Sequence, residues 1–244
     1  MSLPVEEVIE EVRHALSAHG SAVLVAPPGS GKTTLVPLRL LDVVEGKLVV
    51  LEPRRIATRA AARRMAHILG EEVGETVGYV TRHDRAVSGA TRIEVITEGI
   101  LTRRLQSDPT LAGTGLVIFD ELHERNLETD LGLALTIDAR LALRPDLWIL
   151  AMSATIDAGP IASLLGGSPV ISASARAHPV EIRWVPPPPR SRRMADHVAQ
   201  VVRRALDHDQ GDVLVFLPGM ADMRRVSERL TDVLADVRLL HGSL

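Results

Sequence analysis

Ala26-Pro-Pro-Gly-Ser-Gly-Lys-Thr33 is the stretch that decides the fold of this chain. It follows the apolar run of residues 22–26 and precedes a second apolar run at residues 35–41, an order that predicts a strand, a glycine-rich loop and a helix. Glycines accept the unusual dihedral angles of such a loop, and its N–H groups, with those of the following helix, can surround a phosphate group. The sequence therefore predicts a phosphate-binding loop rather than a plain structural turn.

The loop assigns individual roles to its residues. Lys32 is predicted to reach the β- and γ-phosphates of a nucleotide, and the hydroxyl of Thr33 is predicted to bind Mg²⁺. The pattern usually begins with glycine, and this chain has Ala26 in that position. The predicted nucleotide-binding residues are Gly29, Ser30, Gly31, Lys32, Thr33 and Thr34.

A pair of carboxylates, Asp120-Glu121, follows the apolar run of residues 116–119. Phosphoryl transfer needs such a pair: one carboxylate holds Mg²⁺, directly or through water, and the other orients or deprotonates the attacking water. We therefore predict Asp120 as a metal ligand with Thr33, and Glu121 as a catalytic residue. The alternative is an acidic helix N-terminus without catalytic function. His123-Glu124 does not form a zincin site, because position 127 is leucine.

Composition restricts the class of protein. The 244 residues include no cysteine, so the chain has no disulfide framework and no thiolate metal site. The net charge of −3 does not indicate a nucleic-acid-binding protein, and only clusters among the arginines carry information. The first residues lack the features of a secretory signal, and no apolar run has membrane-spanning length. We expect a cytoplasmic, soluble protein that has no membrane partner.

Apolar runs of strand length alternate with helical spacings along the first part of the chain, and Gly20 and Gly70 are predicted to end two of the helices. This alternation predicts an α/β fold with a mostly parallel sheet that is covered on both faces. The phosphate loop, Asp120 and Ser153 each follow the end of a predicted strand. Ligands of such sheets bind beyond the C-terminal strand ends, so we expect the three to converge on one edge.

The proline-rich residues 185–190 predict a stiff hinge or exposed loop. Beyond it, the pattern predicts helices at residues 194–208 and 221–234 and strands at residues 212–217 and 237–240. Two strands and two helices are too few for a complete domain of this class. We therefore predict a first domain at residues 1–175 and the start of a second domain at residues 176–244.

Two arginine-containing segments are candidates for binding a phosphate backbone. Arg55, Arg59 and Arg63 recur every four residues and share one helix face, with Ile56, Ala60, Met65 and Ile68 predicted on the buried side. The other segment, residues 97–104, ends in Arg103-Arg104. Both can equally be solvated helix faces, and neither has interleaved aromatic residues that would stack on bases. Ser153-Ala-Thr155 alone is typical of a helix N-cap.

Taken in order, these motifs resemble those of the DEAH-box family of ATP-dependent helicases. The matching segments are APPGSGKTT, EPRRIAT, TEGILTRRL, DELHER, MSATI, LVFLPG and HGSL, which are similar to motifs I, Ia, Ib, II, III and IV in family order. The DELHER form and the segments PVEIRWVPPPPR and LPGMADMRRV are most similar to the bacterial HrpB type. Leu122 stands where a literal DEAH sequence has alanine.

This resemblance implies a RecA-like P-loop NTPase domain and the start of a second RecA-like domain. It implies ATP and Mg²⁺ as cofactors and single-stranded nucleic acid as partner, with RNA favoured over DNA. It assigns Lys32, Asp120, Glu121 and His123 to catalysis. It also assigns a group of residues to contact with the nucleic-acid strand or to coupling between that strand and the nucleotide, namely Arg54, Arg55, Thr97, Glu98, Ser153 and Thr155.

Full-length members of the family continue to motifs V and VI, and the arginine fingers of motif VI stabilise the transition state. Loss of an arginine finger costs on the order of 10³–10⁵ in turnover. We therefore expect this chain to bind nucleotide but to hydrolyse it slowly. Two alternatives stay open: a nucleotide-gated RNA-binding module without useful catalysis, and a P-loop protein of another kind, such as a kinase or a small GTPase. The oligomeric state is not predicted.

Overall fold

The structure is a computed structural model that describes residues 3–154, 158–174, 180–186 and 194–241. The chain divides into two compact units, residues 1–177 and 178–244. Within the described ranges, no helix has both the length and the apolar character needed to cross a membrane. The predicted proline-rich hinge falls mainly on residues 187–190, which are outside the described residues.

The strands of the first unit form one sheet. They are β1 Ser21–Val25, β2 Lys47–Leu51, β3 Val77–Val80, β4 Arg85–Ala86, β5 Ile93–Ile96, β6 Thr114–Phe119, β7 Trp148–Ser153 and β8 Val170–Ser172. Their order across the sheet is β4-β3-β5-β2-β6-β7-β1-β8. All neighbouring pairs are parallel except β3 and β4. The α/β class and the mostly parallel sheet are therefore confirmed.

Helices connect the strands. Those of the first unit are α1 Ile9–His19, α2 Lys32–Arg39, α3 Arg55–Leu69, α4 Glu98–Ser107, α5 Leu127–Ala142 and α6 Gly159–Leu164, and those of the second unit are α7 Met194–His208 and α8 Met220–Ser227. Short 3₁₀ turns lie at Pro4–Glu7 and Leu122–Glu124. Gly20 and Gly70 end α1 and α3 in the left-handed conformation, as predicted, because glycine adopts it without a Cβ penalty.

The core consists of two apolar layers, one on each face of the sheet. Successive residues of β1 alternate between the layers: Leu24 lies in the layer that contains residues of α1, α2 and α3, and Val23 lies in the layer that contains residues of α4, α5 and α6. Because both faces are covered, the central strands are apolar at nearly every position. This is the reason that they appear in the sequence as continuous apolar runs.

The strand register brings the predicted motifs to one edge of the sheet. Leu51 of β2 pairs with Phe119 of β6, and Phe119 pairs with Ala151 of β7. Val25 of β1 pairs with Ser153 at the other side of β7. Since the strands are parallel, the residues that follow β1, β6 and β7 leave the sheet at the same edge, as predicted, and so do those that follow β2.

The second unit departs from its predicted pattern. Its helices α7 and α8 pack through Ala199, Val202 and Val226, but residues 212–217 and 237–240, predicted as strands, have no strand structure. Those strand predictions are wrong for this structure, and Phe216 has 88% of its surface exposed. A strand requires hydrogen bonds to a neighbouring strand, and the described residues of this unit provide none.

The buried face of α3 also differs from the prediction. Met65 is buried as expected, whereas Ile56, Ala60 and Ile68 are exposed, and the other buried residues are Thr58, Ala61, Ala62 and Ala66. Small side chains let the helix approach the sheet closely, so the largest apolar residues were a poor guide to this face.

Candidate functional site

The phosphate loop spans residues 26–31 and leads directly into α2. Gly29 and Gly31 have φ angles of 76° and 91°, a left-handed conformation that other residues adopt rarely. Among the described atoms outside its chain neighbours, none lies within 4 Å of the position that a Cβ would take at Gly29. The loop can therefore present its backbone to a ligand at that point. Thr34 lies in the first turn of α2.

The N-terminal residues close the other side of this loop, a contact that the sequence did not reveal. The N–H of Val5 donates to the carbonyl of Ser30 at 3.4 Å, and a Cβ on Gly31 would lie 2.9 Å from Cδ1 of Leu3. Ser30 is buried in consequence. Gly31 is therefore required both for its dihedral angle and for the space that Leu3 occupies.

Lys32 is almost completely buried, with 4% of its surface exposed. Its Nζ lies 3.1 Å from Oε1 of Glu121, within ion-pair distance, but without the geometry of a hydrogen bond. Within the described part of the chain, this ammonium group has no hydrogen-bond partner. A buried ammonium group with unused donors is costly, and the oxygens of a phosphate would satisfy them. The position fits the predicted role of Lys32.

Thr33 and Asp120 form the candidate metal site. The hydroxyl of Thr33 donates to Oδ2 of Asp120 at 2.5 Å, and the N–H of Glu121 donates to Oδ1 at 2.8 Å. Burial, together with the negative charge of Glu121, raises the pKa of Asp120 to about 6. A nearby cation would favour the charged form of this carboxyl group. Hydroxyl and carboxylate oxygens are ligands that Mg²⁺ accepts, so these two residues fit that ion.

Glu121 connects the phosphate loop to the end of β7. Its own φ of 54° is left-handed, which is unusual for a residue other than glycine and is common at functional sites. Oε1 faces Lys32, and Oε2 lies 3.3 Å from Nε2 of His123. Nδ1 of His123 accepts the N–H of Ala154 at 3.2 Å, so a neutral His123 carries its proton on Nε2, toward Glu121.

Ser153, the last residue of β7, lies beside the phosphate loop. Its carbonyl accepts the N–H of Ala26 at 2.9 Å, and the residue is buried. The structure thus brings Ser153 next to the candidate nucleotide site. Thr155, the other residue predicted from this segment, lies outside the described residues.

Glu52 is a buried carboxyl group at the same edge that the sequence did not single out. It follows β2, and the N–H of Asp120 donates to the carbonyl of Leu51 at 3.2 Å, which places the two acidic residues on neighbouring strand ends. Burial is the main reason that the pKa of Glu52 rises from 4.5 to about 7, and the charges of Asp120 and Glu121 add to the effect. In the segment Glu52-Pro-Arg-Arg55, the sequence indicates a binding role only for the two arginines.

Glu52 should make stability depend on pH. The folded chain holds the proton of Glu52 more tightly than the unfolded chain does, so ionisation opposes folding as the pH rises from 4.5 to about 7. Glutamine cannot ionise, so the difference in unfolding free energy between Glu52→Gln and the original chain should shift in favour of the variant by about 2–3 kcal/mol as the pH rises from about 5 to about 8. Urea unfolding of both proteins without Mg²⁺ measures this gain. Glu72→Gln, an exposed carboxylate, should show none; an equal gain there would refute the assignment.

Three of the residues predicted to contact a nucleic-acid strand, Arg55, Thr97 and Glu98, line a polar cavity of about 260 Å³ at the N-terminus of α4. The residues that line it are Pro53, Arg55, Arg82, Thr97, Glu98, Gly99, Ile100, Arg103 and Glu128. Three of them are arginines, and the cavity lies beyond the ends of β2 and β5. Arg82, from the turn between β3 and β4, was not predicted, because no motif marked it. A larger open groove, of about 550 Å³ between α1 and β8, contains none of the predicted residues.

Two predicted strand-contact residues have partners within the protein. The buried carboxylate of Glu98 accepts the hydroxyl of Thr129, and burial raises its pKa. Arg54 is exposed and does not line the cavity; its guanidinium group donates to the carboxylate of Glu124. The structure therefore brings Arg55, Thr97 and Glu98 together and holds Arg54 against the Asp120–Glu124 turn.

The sequence profile of the DEAD/DEAH box helicase family matches residues 6–163. The ATP-dependent RNA helicase HrpB of Escherichia coli (strain K12) is 45% identical over 248 aligned residues, which cover 100% of this chain and 30% of that protein. The ATP-dependent RNA helicase HrpA homolog of Haemophilus influenzae is 34% identical over 233 aligned residues, which cover 94% of this chain and 18% of that protein.

Solved structures agree with the sequence comparison. A crystal structure of the Escherichia coli DEAH/RHA helicase HrpB superposes with a TM-score of 0.90 at 45% identity, over 96% of this chain and 30% of that chain. A crystal structure of the E. coli DExH-box NTPase HrpB gives a TM-score of 0.82 at 45% identity, over 100% of this chain and 31% of that chain. The chain thus spans about 30% of the length of these HrpB proteins. The chain belongs to the DEAD/DEAH box helicase family.

Proposed function

We propose that this chain forms the nucleotide-binding core of an ATP-dependent helicase that acts on single-stranded nucleic acid, with RNA preferred over DNA. The observation that carries the proposal is the chain of contacts that runs from Lys32 through Glu121 and His123 to Ala154. It joins a phosphate loop, an acidic pair and the end of β7. The preference for RNA rests on the similarity to proteins named as RNA helicases.

Each residue of this constellation has a role in hydrolysis. The N–H groups of the loop and the buried ammonium group of Lys32 bind and orient the phosphates of ATP. Glu121 accepts a proton from the attacking water or holds that water in line. Mg²⁺, when bound, neutralises charge on the phosphate oxygens, and Thr33 and Asp120 are the residues that would hold it. His123 keeps Glu121 in position through its Nε2–H.

We propose that the arginine-lined cavity and its surroundings bind the nucleic-acid strand. Arg54, Arg55 and Thr97 supply guanidinium and hydroxyl donors for phosphate oxygens, and Glu98 holds the start of α4 through Thr129. Ser153, together with Thr155, couples this grip to the nucleotide. The contact of Ala154 with His123 supports a coupling role for the end of β7.

We infer further that residues 1–175 form a RecA-like domain and that residues 176–244 begin a second one. The packing of α7 against α8 in a compact unit of their own supports this division. We place the activity in the cytoplasm, in agreement with a chain that has no cysteine.

ATP hydrolysis by this chain, measured with and without single-stranded RNA and with DNA of matched sequence, tests the proposal. We expect turnover that RNA stimulates more strongly than DNA does. Failure to bind ATP would overturn the proposal. Binding of ATP and RNA without turnover would favour the nucleotide-gated RNA-binding module. Transfer of phosphate to an acceptor other than water would identify a different class of P-loop enzyme.

A further inference from the structure

The ion pair between Arg54 and Glu124 joins two motifs that are distant in the sequence. Arg54 follows β2 at the start of α3, and Glu124 lies in the 3₁₀ turn that follows β6. The guanidinium group donates to Oε1 of Glu124. The side chain of Arg54 is 70% exposed and that of Glu124 is 33% exposed, so solvent and solutes can reach the pair.

The backbone of Arg54 is fixed, while its side chain depends on Glu124. The carbonyl of Arg54 accepts hydrogen bonds from both the N–H and the hydroxyl of Thr58, at 2.8 Å and 3.0 Å. These bonds fix the backbone of Arg54 as the N-cap of α3. Among the described residues, the guanidinium group forms its hydrogen bond and ion pair with Glu124, while its charge also acts on the buried carboxyl group of Glu52 from farther away. Removal of Glu124 would therefore free the side chain without moving the backbone.

Glu124 is connected in turn to the backbone of Glu121, the candidate catalytic residue. Its N–H donates to the carbonyl of Glu121 at 2.9 Å within the 3₁₀ turn. Its surroundings are acidic, because the charges of Glu124 and Glu128 both contribute to the raised pKa of buried Glu98. Arg54 is thus a cation that neutralises one carboxylate of this acidic group.

We propose that Glu124 is a positioning residue that holds Arg54 while no strand is bound, so that a phosphate of the incoming strand must displace Glu124 to gain the guanidinium group. The proposal rests on the proposed strand binding. Carboxylate and phosphate both bind a guanidinium group through paired N–H···O bonds, and two anions on one small cation repel each other. Release of Glu124 transmits strand occupancy directly to the turn that carries Glu121.

The test measures the affinity for a fluorescein-labelled oligouridine by anisotropy, without nucleotide, for the full 244-residue chain. Glu124→Gln should bind about twofold to fivefold more tightly than the original chain, the range expected for loss of competition from an exposed ion pair. Glu124→Asp, which keeps the charge, should bind like the original chain. Arg54→Gln should bind more weakly, and its salt dependence should be shallower by about one phosphate contact.

The double variant distinguishes positioning from a general charge effect. If Glu124 acts through Arg54, Glu124→Gln has no effect in the Arg54→Gln background. Asp130→Asn is the matched control, because Asp130 forms a similar exposed pair with Arg125 only a few residues away. It should leave the affinity unchanged.

Each outcome decides the question. An increase in affinity that Asp130→Asn reproduces, or that persists without Arg54, would overturn the role of Glu124 and leave the strand-binding proposal intact. Affinity of Glu124→Gln equal to or weaker than that of the original chain would likewise overturn the role of Glu124 and leave the strand-binding proposal intact. If the original chain and all variants fail to bind the oligouridine, the proposed strand binding itself fails, and this inference fails with it.

Discussion

Glu121→Gln is expected to slow ATP hydrolysis by this chain about 10²–10⁴-fold, the usual contribution of a general base, while ATP remains bound. Glutamine has nearly the shape of glutamate but cannot accept the proton of the attacking water. It can still occupy the space between Lys32 and His123, which lie 3.1 Å and 3.3 Å from the two carboxylate oxygens. Binding should persist because the proposed contacts with the phosphates involve the loop and Lys32, which this substitution leaves unchanged.

The measurement has two parts. Single-turnover assays, with protein in excess over ATP, give the rate of the chemical step even if turnover is slow, and fluorescence titration with a labelled ATP analogue gives the affinity. Glu72→Gln, which alters an exposed carboxylate outside the site, serves as the control and should keep the original rate. A rate for Glu121→Gln close to that of the original chain would remove Glu121 from catalysis.

Gly115→Ala is expected to lower the free energy of unfolding by about 3 kcal/mol, at the upper end of the usual cost of overpacking. A Cβ at this position in β6 would lie 1.8 Å from the carbonyl oxygen of Glu45 and 3.0 Å from Cγ1 of Val44. The register between β2 and β6 shifts at this point, between Lys47 and Leu48. The closest atom is a backbone oxygen, so either β6 or the loop before β2 has to move to accommodate one methyl group.

Gly89→Ala is the matched control, because no described heavy atom outside its chain neighbours lies within 4 Å of its Cβ position. Its stability should stay within about 0.5 kcal/mol of the original chain, as for most surface substitutions. Urea unfolding of the three proteins compares the two glycines directly. Equal stability of Gly115→Ala and the original chain would mean that the loop before β2 does not pack as closely on Gly115 as described.

The glycines of the phosphate loop and Gly115 together show what a sequence can and cannot reveal. Gly29 and Gly31 were recognised because they belong to a short local pattern with a known chemical purpose. Gly115 has no such pattern, since its requirement comes from Glu45, a residue on another chain segment. The raised pKa of Glu52 could not be predicted for a similar reason, because the pKa of a carboxyl group depends on its burial and on charges that the fold brings near it.

Predictions for individual elements follow the same division. The central strands were predicted well because their apolar side chains pack on both faces of the sheet, which leaves a continuous run in the sequence. The segments 212–217 and 237–240 have a similar pattern but form no strand, because hydrogen bonds from neighbouring strands decide whether an apolar run becomes one. On α3, close packing of alanines and a threonine decided the buried face.

By itself, the sequence determined the α/β class, the mostly parallel sheet, and the edge at which the phosphate loop, Asp120 and Ser153 meet; β4 and α6 were not predicted. The predicted features depend on local periodicity and on the geometry common to all parallel sheets. Only the tertiary structure decided that Lys32 is buried against Glu121, that His123 contacts Ala154, and that Arg54 is held by Glu124. Such contacts join segments from different strands, and no local pattern specifies the distance between two side chains.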